Sequence, residues 1–130
     1  PLPKNPVEVE AISGACMLAS RTAIEEVGPF DERYFLHCED LDWCMRMRQR
    51  GYSILFVPQA RVFHQKGVSS SSRPYATEYY KHRGMVRFYR KFFRDQYPWF
   101  LFYGVLTAVW VRYLIVCGSI AISKTQRSPA

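Results

Sequence analysis

Acidic residues nearly vanish from the second half of this chain, where residues 65–130 hold only Glu78 and Asp95 against eleven Lys and Arg. Cations in such excess have few internal partners, so they face water or an anionic surface. Residues 1–64 run the other way, with nine Asp and Glu against seven Lys and Arg, so the net charge of +7 comes wholly from the second half. Cysteine is also sparse. Cys16, Cys38, Cys44 and Cys117 lack the dense spacing of a disulfide-held secreted scaffold, and reduced thiols are expected. A zinc site from Cys38, Cys44 and His64 has weak support, because Cys38 and Cys44 are not a CxxC pair and no second pair follows. A phosphate-cradling Gly-rich loop, a nucleophile elbow and an HExxH pair are all missing, which excludes the chemistries those motifs carry. No N-terminal stretch has the order of a signal peptide and the first residue is Pro1, so the chain is expected to be part of something longer.

With those classes removed, the patterning of residues 1–72 describes one modest α/β unit. Residues 12–19 form a short run of small and apolar side chains that predicts a buried strand. Ser20 or Thr22 offers a helix cap, Thr22 with Glu25 makes a capping box, and Gly28-Pro29 is a stop signal. An aromatic loop over residues 28–38 leads to Glu39-Asp40-Leu41-Asp42, where acids in a first turn predict a second helix. Leu41, Cys44 and Met47 share one face of it, Arg46, Arg48 and Arg50 supply its cationic end, and Gly51 stops it. Residues 52–57 read as a strand ended by Pro58, and residues 60–64 as another short extended segment. Gly67 and the serines at 69–72 mark a flexible boundary.

Residues 73–98 predict a basic amphipathic helix: Tyr79, Val86, Tyr89 and Phe93 fall at helical spacing among Lys81, Arg83, Arg87, Arg90, Lys91 and Arg94. Residues 99–123 are apolar and interrupted by a single charged side chain, Arg112, before a polar tail over 124–130. At about 1.5 Å per residue this run is long enough for a hydrocarbon core of about 30 Å. Arg112 near its middle costs about 2.5 to 3.5 kcal/mol on insertion scales, which leaves two readings, a spanning helix or short helices lying in the membrane plane. Contact with a membrane surface is expected. Nucleic acid is not expected as a partner, since a soluble binder has no reason to carry the apolar run.

Chemistry then falls to the acidic cluster. Glu39, Asp40 and Asp42 place three carboxylates in four residues at a helix start, where mutual repulsion and the helix dipole oppose each other. Such a site suits a general base, while Asp40 as a plain N-cap and Asp42 as a dipole partner fit the same pattern.

The segments SGACML, GPFDERYF, EDLDWCMRMRQRGY and ILFVPQARVFHQKGVSS, taken in order over residues 12–72, resemble the second half of bacterial family-2 glycosyltransferases of the rhamnosyltransferase type. The resemblance implies the acceptor-side half of a GT-A fold. It implies inverting transfer of a sugar from a nucleotide-sugar donor to a hydroxyl of a glycan or lipid-linked acceptor, with Asp40 as base and Glu39 assisting. Ser13, Gly14 and Ala15 match the family's small-residue segment beside the reaction centre. Asp42, Trp43 and Arg46 are expected near the acceptor, with core packing for Trp43 and a solvated charge for Arg46 as the other readings. His64 follows Asp40 by 24 residues, the spacing at which the family places a histidine beside Mg²⁺ or Mn²⁺. The principal metal ligands of the family, an Asp-x-Asp motif, are expected outside this chain, which alone is expected to be inactive. The QxxRW signature of processive relatives is absent at Gln59-Ala60-Arg61-Val62, which favours addition of one or a few sugars. The acidic segment, basic helix and apolar run together imply work on the cytoplasmic side of a membrane; the competing reading is a non-enzymatic, basic, membrane-associated binding module.

Overall fold

The computed structural model describes residues 3–64 and 73–126, and these fall into two compact units. The first is drawn from Pro1–Tyr34 and Cys38–Lys66, the second from Phe35–His37 and Gly67–Ala130. The expected flexible boundary at Gly67 and residues 69–72 lies outside the described residues.

The first unit holds β1 (Val7–Val9), α1 (Arg21–Val27), α2 (Glu39–Gln49) and β2 (Ile54–Phe56). Its strands pair antiparallel, Val7 with Phe56 and Val9 with Ile54. It is therefore more helical than the α/β pattern expected. The predicted strand over residues 12–19 is not formed, nor is the extended segment over 60–64 a strand. A strand needs a hydrogen-bonding neighbour, and the two-stranded sheet offers one to neither segment.

Helix α1 begins at Ser20, whose hydroxyl accepts from the Ala23 amide at 3.1 Å; the Thr22–Glu25 capping box is displaced by this earlier cap. Gly28 ends α1 with φ 82°, a conformation that a side chain would strain. Helix α2 ends in a Schellman turn. The Tyr52 amide reaches the Met47 carbonyl at 3.1 Å, the Gly51 amide reaches Arg48 at 2.9 Å, and Gly51 takes φ 84°. Ala23, Trp43 and Met47 make the core, covered by Met17, Ala19, Val27, Tyr52 and Ile54. The buried face of α2 is thus centred on Trp43, Cys44 and Met47, and Leu41 is exposed.

One cluster fixes how α2 lies against the end of α1. Asp42, with no exposed surface, accepts from the Tyr34 hydroxyl at 3.1 Å and from Arg46 Nε at 2.8 Å. The other arms of that guanidinium donate to the carbonyls of Val27 and Pro29, each at 2.7 Å. Beside it the Trp43 indole N–H donates to the Gly28 carbonyl at 2.8 Å, and its ring packs on Phe30 with centroids 4.8 Å apart. The carbonyls left open where α1 stops are thereby satisfied from α2.

The second unit is a helical hairpin of α3 (Pro74–Phe93) and α4 (Trp99–Gln126). Helix α3 starts within one residue of the predicted 73 and ends at Phe93, before the predicted 98; Pro74 stands in its first turn, where a missing N–H costs nothing. Val86, Phe102 and Leu106 form its core, with Tyr89 and Val109 against them. Residues 99–123 belong to one unbroken helix, so the alternative of two short helices is not what the chain adopts.

All four cysteines are free. Burial pushes the Cys44 thiol up from its ordinary range, while its sulfur lies 4.0 Å from the Ile12 carbonyl. A raised thiol carries less thiolate at neutral pH, so Cys44 should alkylate far more slowly than exposed Cys16 in the folded chain and equally fast in denaturant; mass spectrometry of a timed iodoacetamide reaction reads both. Replacing Asp42 strands the Arg46 guanidinium among carbonyls. Asp42→Ala should lower unfolding free energy by about 3 kcal/mol in urea titrations, and Asp42→Asn, which keeps an acceptor for Tyr34, by less.

Candidate active site

Asp40 and Asp42 are two residues apart on α2, so their side chains diverge by about 200° around a helix of 3.6 residues per turn. Asp42 turns into the core and Asp40 turns towards the segment that precedes α1. There its Oδ2 accepts from the Gly14 amide at 2.9 Å, and its Oδ1 accepts from the Leu41 amide at 2.8 Å. Both oxygens are positioned by backbone donors, and the carboxylate remains only partly covered. Each oxygen keeps a lone pair for a further proton or hydroxyl.

Gly14 lies against this carboxylate. A methyl at its Cα would lie 3.4 Å from Asp40 Cβ and 3.6 Å from Oδ2, in ordinary van der Waals contact with it. Ser13 supports the same bend, its hydroxyl accepting from the Ala15 amide at 3.4 Å. Ser13, Gly14 and Ala15 are all exposed. The segment is a turn instead of the expected strand, with the Gly14 amide against Asp40.

The helix that carries Asp40 begins under strain. Cys38 occupies the N-cap with φ 70° and makes no side-chain cap bond, and His37 before it has φ 65°. Left-handed backbone at two consecutive non-glycine residues is costly and concentrates where geometry serves function. Glu39, next in line, has its Oε2 buried without a hydrogen-bond partner. An acceptor left so costs about 1 to 3 kcal/mol, and a hydroxyl donor from a bound molecule would satisfy it.

Asp42, Trp43 and Arg46 were expected beside the acceptor. Their polar groups are instead engaged with Tyr34, Gly28, Val27 and Pro29, and both Asp42 and Trp43 are buried. Tyr34 is the partner that sequence reasoning passed over; an aromatic loop residue eight positions before an acid gives no periodic signal. His64 is exposed. No group of three His, Cys, Asp or Glu side chains able to hold a metal ion occurs among the described residues, so neither the zinc alternative nor a complete divalent-cation site is assembled by them.

An isolated carboxylate at a helix start, held by two backbone amides against a glycine turn, can take a proton from a hydroxyl. The chain is 43% identical over 63 residues to the N-acetylglucosaminyl-diphospho-decaprenol L-rhamnosyltransferase of Mycobacterium tuberculosis (strain ATCC 25618 / H37Rv), covering 48% of this chain and 20% of that protein. It is 34% identical over 56 residues to Rhamnosyltransferase WbbL of Escherichia coli (strain K12), covering 43% of this chain and 21% of that protein. The chain thus spans about a fifth of the length of these curated relatives. No solved structure matches it. The profile described as "Glycosyltransferase like family 2" matches residues 4–85, which take in the Gly14 turn, the Asp40 helix and the first turns of α3; the chain belongs to that glycosyltransferase family.

Proposed function

We propose that these residues form the acceptor side of an inverting, GT-A-type sugar transferase in which Asp40 is the general base. The acceptor hydroxyl gives its proton to the Asp40 carboxylate as its oxygen attacks the anomeric carbon of a nucleotide sugar. The bond from that carbon to the nucleotide diphosphate breaks on the opposite face, so configuration inverts. The observation that carries this reading is the pair of amides, Gly14 and Leu41, that hold Asp40 in one orientation while leaving it open to a substrate. Orientation of this kind is worth much of a bimolecular barrier.

Glu39, with its unpartnered oxygen, is assigned to an acceptor hydroxyl. Ser13, Gly14 and Ala15 form the exposed turn that the acceptor approaches. Asp42, Trp43 and Arg46 act on the acceptor through the placement of α2. The acceptor is proposed to be a lipid-linked glycan extended by one or a few sugars at the cytoplasmic side of a membrane, in keeping with the diphospho-decaprenol named for the mycobacterial relative. His64 is assigned a contributing place toward Mg²⁺ or Mn²⁺, a cation that would neutralise the departing diphosphate. The described residues do not make that site by themselves, and no step is drawn through it. By the same reasoning the 130-residue chain alone should not turn over a nucleotide sugar.

Asp40→Asn separates a base from a structural acceptor, since the asparagine side-chain oxygen can still accept from a backbone amide but the amide group cannot take up the proton. In the whole enzyme it should lower turnover by about 10²- to 10⁴-fold with nucleotide-sugar binding preserved; turnover above about a tenth of wild type rules out the assignment. Gly14→Ala keeps the amide and sets a methyl in ordinary contact with Asp40, so it should leave turnover within about tenfold of wild type, about 1.4 kcal/mol of barrier.

A further inference from the structure

Within the second unit, α3 runs antiparallel along the first part of α4. Tyr89 stacks on Phe102 near the turn, Val86 packs with Phe102 and Leu106, and Tyr79 lies 6.2 Å from the rings of both Trp110 and Tyr113. The apolar run Trp99–Ser123 is 25 residues with only 6% of its most apolar window buried. At about 1.5 Å per residue that is about 38 Å, more than the hydrocarbon thickness of about 30 Å. By length alone it would cross.

The hairpin opposes a crossing. Alongside α4, helix α3 carries Lys81, Arg83, Arg87, Arg90 and Lys91, of which Arg83, Arg90 and Lys91 are exposed. Inserting α4 with α3 attached would carry these cations into hydrocarbon. A polar link also ties the two helices at the middle of the apolar run. His82, with no exposed surface, has Nδ1 at 2.7 Å from the Glu78 carbonyl. A carbonyl only accepts, so Nδ1 bears the proton, and Nε2 is left to accept from Arg112 Nη1 at 3.3 Å. Pulling α4 away would take the Arg112 partner from the buried ring and leave Arg112 bare in the run.

We propose that the hairpin lies along one leaflet of an anionic bilayer without crossing it. The exposed side chains of α4, among them Phe100, Tyr103, Val111, Leu114 and Ile115, enter the acyl region, while the cations of α3 meet the head-group phosphates. Both ends of α4 then stay on the side of the membrane that holds α3. The occupant follows from charge: a long apolar helix flanked by a row of cations matches an anionic lipid surface better than a second copy of an equally basic hairpin. The inference rests on the membrane reading given above, and the experiment separates the two.

The full chain bearing a C-terminal epitope tag is produced in Escherichia coli and its inner membrane is prepared as sealed spheroplasts and as inverted vesicles. Protease should remove the tag in inverted vesicles and leave it intact in spheroplasts. Removal of the tag in spheroplasts, with the chain still membrane-bound, overturns the in-plane arrangement and leaves the membrane reading standing. Recovery of the chain in the soluble fraction, as a dimer or otherwise, overturns both. In flotation, purified chain should bind vesicles of phosphatidylethanolamine with phosphatidylglycerol at least about tenfold more tightly than vesicles of phosphatidylcholine, and equal binding removes the role given to the α3 cations. Arg112→Leu, which makes the run uninterrupted and frees α4 from His82, should expose part of the tag in spheroplasts; a tag as fully protected as in the wild type denies Arg112 its part in holding the helix in plane.

Discussion

The guanidinium of Arg46 meets three separate demands at once, and the placement of the candidate base depends on it. It neutralises the buried Asp42 carboxylate and caps the carbonyls of Val27 and Pro29, where α1 has just stopped. Five donors in a rigid plane can do this; a lysine ammonium on the same helix could not reach both carbonyls and the carboxylate in fixed directions. With α2 pinned by its inward side, its first turn presents Asp40 on the opposite side. There the Gly14 amide donates to its carboxylate at 2.9 Å. Removing either member of the buried pair would therefore act on the placement of Asp40 at a distance, through the angle of a helix.

Local signals in the sequence were legible where the physics is local. The acids that open α2, the arginines that close it and Gly51 all act within one turn of their own position, and the helix is found at Glu39–Gln49. Gly28 as a stop and the length of the apolar helix were legible for the same reason. Residues 12–19 misled because apolar content records burial but not the neighbour that a strand requires. Thr22 misled because a hydroxyl two residues earlier, on Ser20, caps first. The candidate site was half legible: Asp40 and the small residues at 13–15 were found as motifs. That Gly14 donates its amide to Asp40 across 26 positions could not be read from either segment alone.

Asp42, Trp43 and Arg46 show why motif proximity is a poor guide to contact. They sit within six residues of Asp40, yet a helix turns each residue by about 100°, and only those on the same side share a neighbourhood. The three here have polar groups satisfied within the fold, and what they fix is the placement of the backbone of α2.

The second unit sets a competition whose outcome follows from magnitudes. Burying the apolar surface of α4 in lipid is favourable whether the helix crosses or lies flat, since about 25 cal/mol per Å² applies to area and is indifferent to orientation. Crossing adds what flat binding leaves exposed, but with the hairpin intact it also submerges cations on α3 at about 2.5 to 3.5 kcal/mol each on insertion scales. The three exposed ones, Arg83, Arg90 and Lys91, bring the penalty to on the order of 10 kcal/mol, which the further area cannot offset while α3 occupies part of that same surface. Opening the hairpin avoids this cost but exposes Val86, Phe102 and Leu106 and unpairs His82 from Arg112, a buried imidazole losing its donor. Flat binding keeps the hairpin core, keeps the His82–Arg112 bond, and sets the cations of α3 against phosphate, so each term that opposes crossing favours the leaflet surface.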